Sequence, residues 1–324
     1  MTVCIHAWES LRGDSLSWLL DPQRPNLHWR VLVELVQRPA DSPAVGRARG
    51  GSNVPEPVAS LIADLQPDGA WAPEQGLWRP YSGPGWRYLA AVQWGADPND
   101  PRLQRAAERM LEIAPGEGGF AVAEGGRSAP WLTARFLHGL AELGWCRHPR
   151  FQEGLAWLED GDAKHPAGGW RAVDRGSTSG ECAVTAVALL CALAACAEDR
   201  RTALRERALR SLSRVLARTA KHRVRLGHPC LGRTDVAEIL HALARAGAQL
   251  EPEMVPALRR VQRRQDEGGR WRRDVSVPIS LGLRHEEKAG SPSRWVTLKC
   301  VVALMTYAVD ARLPRMYPQK PLER

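Results

Sequence analysis

The chain has 324 residues, 44% of them hydrophobic, which is enough to bury a large core as one large domain or two ordinary ones. A net charge of +9 would suit a polyanionic partner, but the basic residues are nearly all arginine and are scattered, which reads as surface composition and not as a nucleic-acid footprint. Seven cysteines, an odd number with no Cys-x-x-Cys pair, argue against a disulfide framework and a closed structural zinc site, and point to a reducing compartment.

Glu9, Arg12 and Asp14 interrupt residues 1–18 where a signal peptide would need an apolar run. No later segment reaches the roughly 18 apolar residues of a spanning helix. A soluble, cytoplasmic protein is expected. Thirteen Trp stand against 3 Phe and 4 Tyr, so Trp must have a repeated, specific task.

In chain order, a loop is expected over 38–55, then a small-residue turn closed by an aromatic, Asp68-Gly-Ala-Trp71. A polar-faced helix over 102–113 leads to a second such turn, Glu117-Gly-Gly-Phe120. An apolar helix follows, with Pro130-Trp-Leu-Thr-Ala134 and Phe136-Leu-His-Gly-Leu140. After the third turn, Ala167-Gly-Gly-Trp170, an apolar helix over 178–196 carries Val184-Thr-Ala186 and Leu189-Leu-Cys-Ala-Leu193. A loop over 221–232 precedes Val236-Ala237 and Ile239-Leu-His-Ala-Leu243. A polar-faced helix over 256–265 then meets the turn Glu267-Gly-Gly-Arg-Trp271. A loop over 275–293 and a last apolar copy, Trp295-Val-Thr-Leu298 with Val301-Val-Ala-Leu304, complete the series.

The first three turns lie roughly fifty residues apart and the fourth about twice that further on, so a unit near residue 220 has lost its signature. Each unit is an αα-hairpin of one wetter and one drier helix. Such hairpins must stack, and helices apolar all round belong inside a ring of amphipathic ones. The expectation is an all-α toroid, one domain over 1–324 with repeats near 18–71, 72–120, 121–170, 171–225, 226–271 and 272–311. An open solenoid would satisfy the same pattern.

Gln66-Pro-Asp-Gly-Ala-Trp71 and Gln265-Asp-Glu-Gly-Gly-Arg-Trp271 resemble the QW motifs of squalene–hopene and oxidosqualene cyclases. The hairpin pattern is similar to prenyltransferase/squalene-oxidase repeats, from about residue 18 to residue 311. The resemblance implies an α/α toroid. For class II cyclases it also implies a proton donor in an Asp-x-Asp-Asp element before a Thr-Ala pair. Anchored on Thr185-Ala186, that tetrad is Glu181-Cys-Ala-Val184, with Ala183 at the position of the central acid. A methyl group cannot protonate an alkene, so the acid of any protonating cyclase must lie elsewhere. The resemblance to protein prenyltransferase β subunits implies a zinc held by Asp, Cys and His. Cys182 and Asp235 suit that role, but no His stands at the next helix start, where Arg294-Trp295 is found.

If the ring closes, the starts of the inner helices converge on one mouth of a central cavity. They bring together Trp86, Arg87, Trp131, Glu181, Cys182 and Asp235 with Arg294 and Trp295, and Arg135 and Glu238 join them as substrate contacts. Trp faces can stabilise a carbocation or bound ammonium, and Arg87 and Arg294 could grip a diphosphate or carboxylate. Asp235 is the first candidate acid and Glu181 the second. Each also has a plain structural role open to it: Asp235 as an N-cap, Glu181 as a partner of the helix dipole, Trp131 and Trp295 as core. Cys182, Cys191 and Cys196 read as small core residues, and His138 and His241, at matching repeat positions, as packing or hydrogen-bonding groups.

Three functions follow. The first is an enzyme that protonates an isoprenoid or similar apolar substrate to cyclise or isomerise it. The second is a non-catalytic toroid binding a lipid, a prenylated molecule or a peptide, and the third is a zinc-dependent prenyltransferase-like protein. No cofactor or nucleic-acid partner is expected, and no metal outside the zinc alternative; phosphate-loop, nucleotide-fingerprint, HExxH and aspartate-rich magnesium motifs are missing from the sequence, which disfavours a nucleotide-driven or zincin enzyme and class I cyclase chemistry.

Overall fold

The computed structural model describes residues 11–51, 56–71, 83–113, 116–121, 127–160, 170, 182–196, 202–219, 225–275 and 287–307. Among them the regular structure is helical, with only isolated β-bridges between loop residues. The helices are α1 (Ser15–Leu19), α2 (Pro25–Glu34), α3 (Pro43–Arg49), α4 (Val58–Ala63), α5 (Pro84–Gln93), α6 (Pro101–Ile113) and α7 (Pro130–Glu142). They continue with α8 (Pro149–Glu159), α9 (Ala183–Ala195), α10 (Thr202–Thr219), α11 (Val236–Arg245), α12 (Val255–Arg263) and α13 (Arg294–Tyr307).

Sequence pattern sorts these helices into two layers. In α6 the buried positions are Leu103, Ala106, Ala107 and Met110, an i, i+3, i+4, i+7 stripe with charged residues opposite, so it can cover a core on one face only. In α9 every residue from Thr185 to Leu193 is buried, and nothing in its apolar sequence resists enclosure. The inner layer comprises α2, α5, α7, α9, α11 and α13, and from α5 onward each packs against the next. The α2–α5 step is bonded: Asn26 Nδ2 donates to Trp94 O (2.9 Å), and Trp29 Nε1 to Gly95 O (3.0 Å). Helix α13 returns to pack on α1 and α2, so the ring closes and the fold is an all-α toroid.

Closure repeats the contact made inside each unit. Gly69 has φ +83° and Gly269 φ +79°, a region open to glycine at little cost. A Cβ on Gly69 would meet the Arg105 backbone of α6 at 2.6 Å, and one on Gly269 would collide with the carbonyl of Arg12, just ahead of α1. The last turn therefore seats on the chain's first described segment as the first turn seats on α6. The Gln265 side chain locks that seat, its Oε1 accepting from Arg12 N (3.0 Å) and its Nε2 donating to Arg12 O (3.3 Å).

The Trp count has a matching cause. Trp71, Trp170 and Trp271 are fully buried, and each indole N–H donates to a carbonyl near the end of the preceding outer helix. The acceptors are Leu61 O (2.8 Å), Leu158 O (2.9 Å) and Val261 O (2.6 Å). The last carbonyls of a helix have no partner within it, and Phe cannot supply one. The turn aromatics also accept from the residue ahead of the next inner helix: Phe120 O from Ala129 N, Trp170 O from Cys182 N and Trp271 O from Ser293 N.

Two expectations need correction. Helix α3 occupies part of the loop expected over 38–55, because Pro43 at the first helical position presets the helix start. Cys146 and Cys196 form a disulfide joining the loop after α7 to the end of α9, with Cα atoms 5.7 Å apart. An odd cysteine count excludes full pairing, not a single pair.

Replacing Trp271 by Phe should lower stability by about 0.5–1.5 kcal/mol, the net worth of the indole hydrogen bond, because the Val261 carbonyl keeps its bond from Arg264 N (3.1 Å). Replacement by Ala should cost about 3–5 kcal/mol, because it also empties the site. Urea unfolding of the two variants measures both.

Candidate functional site

The inner helices run in one direction, so residues at equal depth in each helix meet across the ring axis. Near the helix starts, Trp86 and Trp131 stack at 5.9 Å. Deeper, Arg135 and Glu238 form a bidentate ion pair at 2.8 and 3.1 Å with both side chains nearly inaccessible. Burial works against both charges, but each holds the other ionised: Glu238 is lowered and Arg135 raised.

The axis itself is occupied by the chain. Residues 226–231, the connection from α10 to α11 and the place where the aromatic turn is missing, are all buried inside the ring. The segment is held from several sides. Gly227 N donates to Asp235 Oδ2 (2.7 Å). Cys230 exchanges backbone bonds with the Gln93 amide, its N–H donating to Oε1 (2.7 Å) and its carbonyl accepting from Nε2 (3.3 Å). The imidazole of His228 lies flat against Trp295, 4.6 Å away and 10° from parallel, with Trp94 edge-on at 6.4 Å. Lys299, at the repeat position equivalent to Arg135, is buried and reaches Gly227 O (3.4 Å) and Cys230 Sγ (3.5 Å). Burial lowers the pKa of Lys299, but Cys230, Glu238 and Asp235 reverse the shift, and the ammonium stays charged.

At the ends of the inner helices a second charged cluster crosses the axis. Arg30 Nη1 lies 2.6 Å from Glu142 and 3.4 Å from Glu34. Arg245 Nη1 lies 3.3 Å from Glu142 and 3.6 Å from Glu34. Each carboxylate also meets a histidine: His241 Nε2 is 2.7 Å from Glu34, and His138 Nε2 is 3.2 Å from Glu142. Burial alone would raise the two glutamates. Arg245, His241 and Arg30 instead bring Glu34 down to about 2, and Arg30, Arg245 and His138 hold Glu142 well below its usual range. Between the cluster and the inserted segment remains a cavity of about 60 Å³, with Arg30, Glu34, His228, Arg245, Trp295 and Lys299 among its walls.

Asp235 caps α11, with Oδ1 accepting from Glu238 N (2.9 Å) and Oδ2 from Gly227 N, so both oxygens are engaged. Burial raises its pKa, Lys299 opposes this and Glu238 adds to it. Cys182 is the buried residue ahead of α9, and Ala183 is that helix's first residue. Trp86, Trp131, Arg135, Glu238 and Trp295 face the ring interior. Two expected mouth residues turn outward: Arg87 pairs with Asp64 (2.8 Å), and Arg294 lies over Trp18 (4.5 Å) and pairs with Asp21 (3.3 Å). Glu181 lies outside the described residues. Among the described residues no three of His, Cys, Asp and Glu converge to hold a metal ion, so the zinc set does not fit here. No helix among them is long and apolar enough to cross a membrane.

The sequence pointed to His138 and His241, and to His228 as a loop histidine that could fold in as a zinc ligand, but not to Arg30, Glu34, Glu142, Arg245 or Lys299. A signal existed, since Arg30/Glu34, His138/Glu142 and His241/Arg245 are all i, i+4 pairs near the ends of inner helices.

Glu142→Ala should destabilise the protein by about 3–5 kcal/mol, because Arg30 and Arg245 then stay buried with Glu34 as their one shared carboxylate. The cluster also sets an acid limit. The lowered Glu34 and Glu142 contribute stability that is complete above the usual glutamate pKa and is lost as pH falls well below it, for Glu34 toward about 2. His138 and His228, lowered chiefly by burial, likewise favour the fold above their usual pKa and cost stability below it, whereas the raised Asp235 acts in the opposite sense. Stability measured by urea unfolding should fall from pH 7 to pH 3, and the part of the fall below the usual glutamate pKa should shrink in Glu142→Ala.

No family model and no curated protein matches the chain. Among solved structures it is similar to the type II terpene cyclase MstE from Scytonema without ligand, at 15% identity and TM-score 0.46, covering 91% of this chain and 89% of that one. It is also similar to an MstE variant in complex with its product merosterolic acid A, at 15% identity and TM-score 0.46, covering 88% and 86%. A protein from Actinoplanes shares 18% identity at TM-score 0.45, covering 93% and 98%.

Proposed function

We propose that this chain is a ligand-binding toroid that holds a small polar molecule at its axis, rather than one that protonates and cyclises an isoprenoid chain. The observation that carries this reading is the filled lumen. Residues 226–231 occupy the axis and leave about 60 Å³, against the roughly 300–1,000 Å³ that larger ligands use. The chemistry agrees: Ala183 stands where the resemblance to class II cyclases would place the acid. Trp86 and Trp131 stack on each other, and His228 covers a face of Trp295.

A second reading, the isoprenoid cyclase or isomerase, draws on Asp235. Its carboxyl is buried at an inner-helix start and its pKa is raised, as a proton donor requires. For Asp235 to act, residues 226–231 would have to withdraw, which would free Oδ2 from Gly227 and open the axis. Glu181 would be the alternative acid, with Trp86, Trp131 and Trp295 as cation-stabilising faces.

Incubation with squalene and with farnesyl and geranylgeranyl diphosphates, followed by gas chromatography–mass spectrometry of organic extracts, separates the two. The binding reading expects unchanged substrate. A cyclised or isomerised product that disappears in Asp235→Asn or Glu181→Gln would overturn it and establish the enzyme.

A further inference from the structure

Resting on the reading of the ring as a binding toroid, we infer that the axial cavity is a site for a small oxyanion, a carboxylate or phosphate of few heavy atoms, held by His228, Lys299 and Arg245. The case is an inventory of donors and acceptors on the cavity wall. Both oxygens of Glu34 are taken, by Arg30, Arg245 and His241, and both oxygens of Glu238 are taken by Arg135. The wall's carboxylates therefore have their partners within the protein.

Its donors do not. Arg245 meets its two carboxylates through Nη1, and the rest of its guanidinium is available. Lys299 makes two long contacts with three N–H donors. His228 is the clearest sign. Only 5% of it is exposed, it lines the cavity, and neither ring nitrogen has a hydrogen-bond partner. A buried polar group left so costs about 1–3 kcal/mol unless something occupies the space beside it. Its surroundings set the sign of that occupant. Burial keeps the imidazole neutral, and the charges that bear on it most are the cations Lys299, Arg273 and Arg30; the Gln93 carbonyl offsets them slightly without reaching hydrogen-bond geometry. Spare donors on Arg245 and Lys299 beside a neutral histidine, under positive potential, select an acceptor-rich anion. At roughly 10–15 Å³ per water, the volume admits about four to six non-hydrogen atoms, the size of acetate or inorganic phosphate.

Isothermal titration calorimetry on the full chain, with sodium acetate, inorganic phosphate and methylammonium chloride at matched ionic strength, tests this. Saturable binding of acetate or phosphate without binding of methylammonium is expected, and which anion binds more tightly identifies the class. Acetate stays ionised throughout this range, and once bound it should let His228 take up a proton, so acetate affinity should rise as pH falls from 7.5 to 6, with proton uptake seen as a dependence of heat on buffer. His228→Phe keeps the stack on Trp295 but removes both nitrogens, and should weaken binding at least tenfold and abolish the pH dependence. Methylammonium binding, or no saturable binding of either anion to the wild-type chain, overturns the inference. Neither result bears on the binding reading itself, which the search for isoprenoid product tests separately.

Discussion

Six helices set around an axis leave a space that their own side chains cannot all fill, and this constraint governs the molecule. An apolar void would forfeit dispersion contacts along its whole lining. Here the axis is filled with backbone and with charge. Residues 226–231 occupy it on one side, and the Arg30, Glu34, Glu142 and Arg245 cluster crosses it on the other. Such a filling is tolerated only where nearly every charge has a partner, because an unpaired buried ion costs several kcal/mol. The pairing also explains why one carboxylate mutation should be severe although the network as a whole contributes little beyond what apolar packing would.

The ring around that axis is held by one repeated contact. A glycine turn seats on the next outer helix while its aromatic docks beneath the next inner one. Tryptophan serves this role better than phenylalanine, since its N–H ties the turn to a carbonyl at the end of the preceding outer helix. Closure needs no separate device: Gln265 and Gly269 treat the segment at Arg12 as they would the next repeat. The unit near residue 220, which lacks the turn, is the one whose connection is free to enter the lumen. Loss of the aromatic turn and filling of the axis are thus one event in the fold.

Much of this was legible in the sequence. The spacing of the turns announced the hairpins, the apolar runs marked the inner helices, and the Trp excess signalled a repeated task. Position alone identified Asp235 as an N-cap candidate, and it caps α11. The contents of the lumen were not legible, for two physical reasons. A segment rich in Gly and Pro reads as surface loop, and only the tertiary partners Gln93, Asp235 and Lys299 make its burial affordable. The charged cluster draws its members from α2, α7 and α11, and no local pattern says which i, i+4 pairs will face each other across a ring. Arg87 and Arg294 were placed at the mouth by helix position, yet their long side chains reach back to Asp64 and Asp21 in the outer layer.

Whether the axis is filled by residues 226–231 decides between a reaction chamber and a closed binding ring. Hydrogen–deuterium exchange followed by mass spectrometry, on peptides covering this segment, tests that directly. The backbone N–H groups of Leu226, Gly227 and Cys230 donate to Asp274, Asp235 and Gln93 within a buried segment, so exchange as slow as that of α9 is expected. Exchange as fast as that of a solvated loop would place the segment outside the ring and contradict the account.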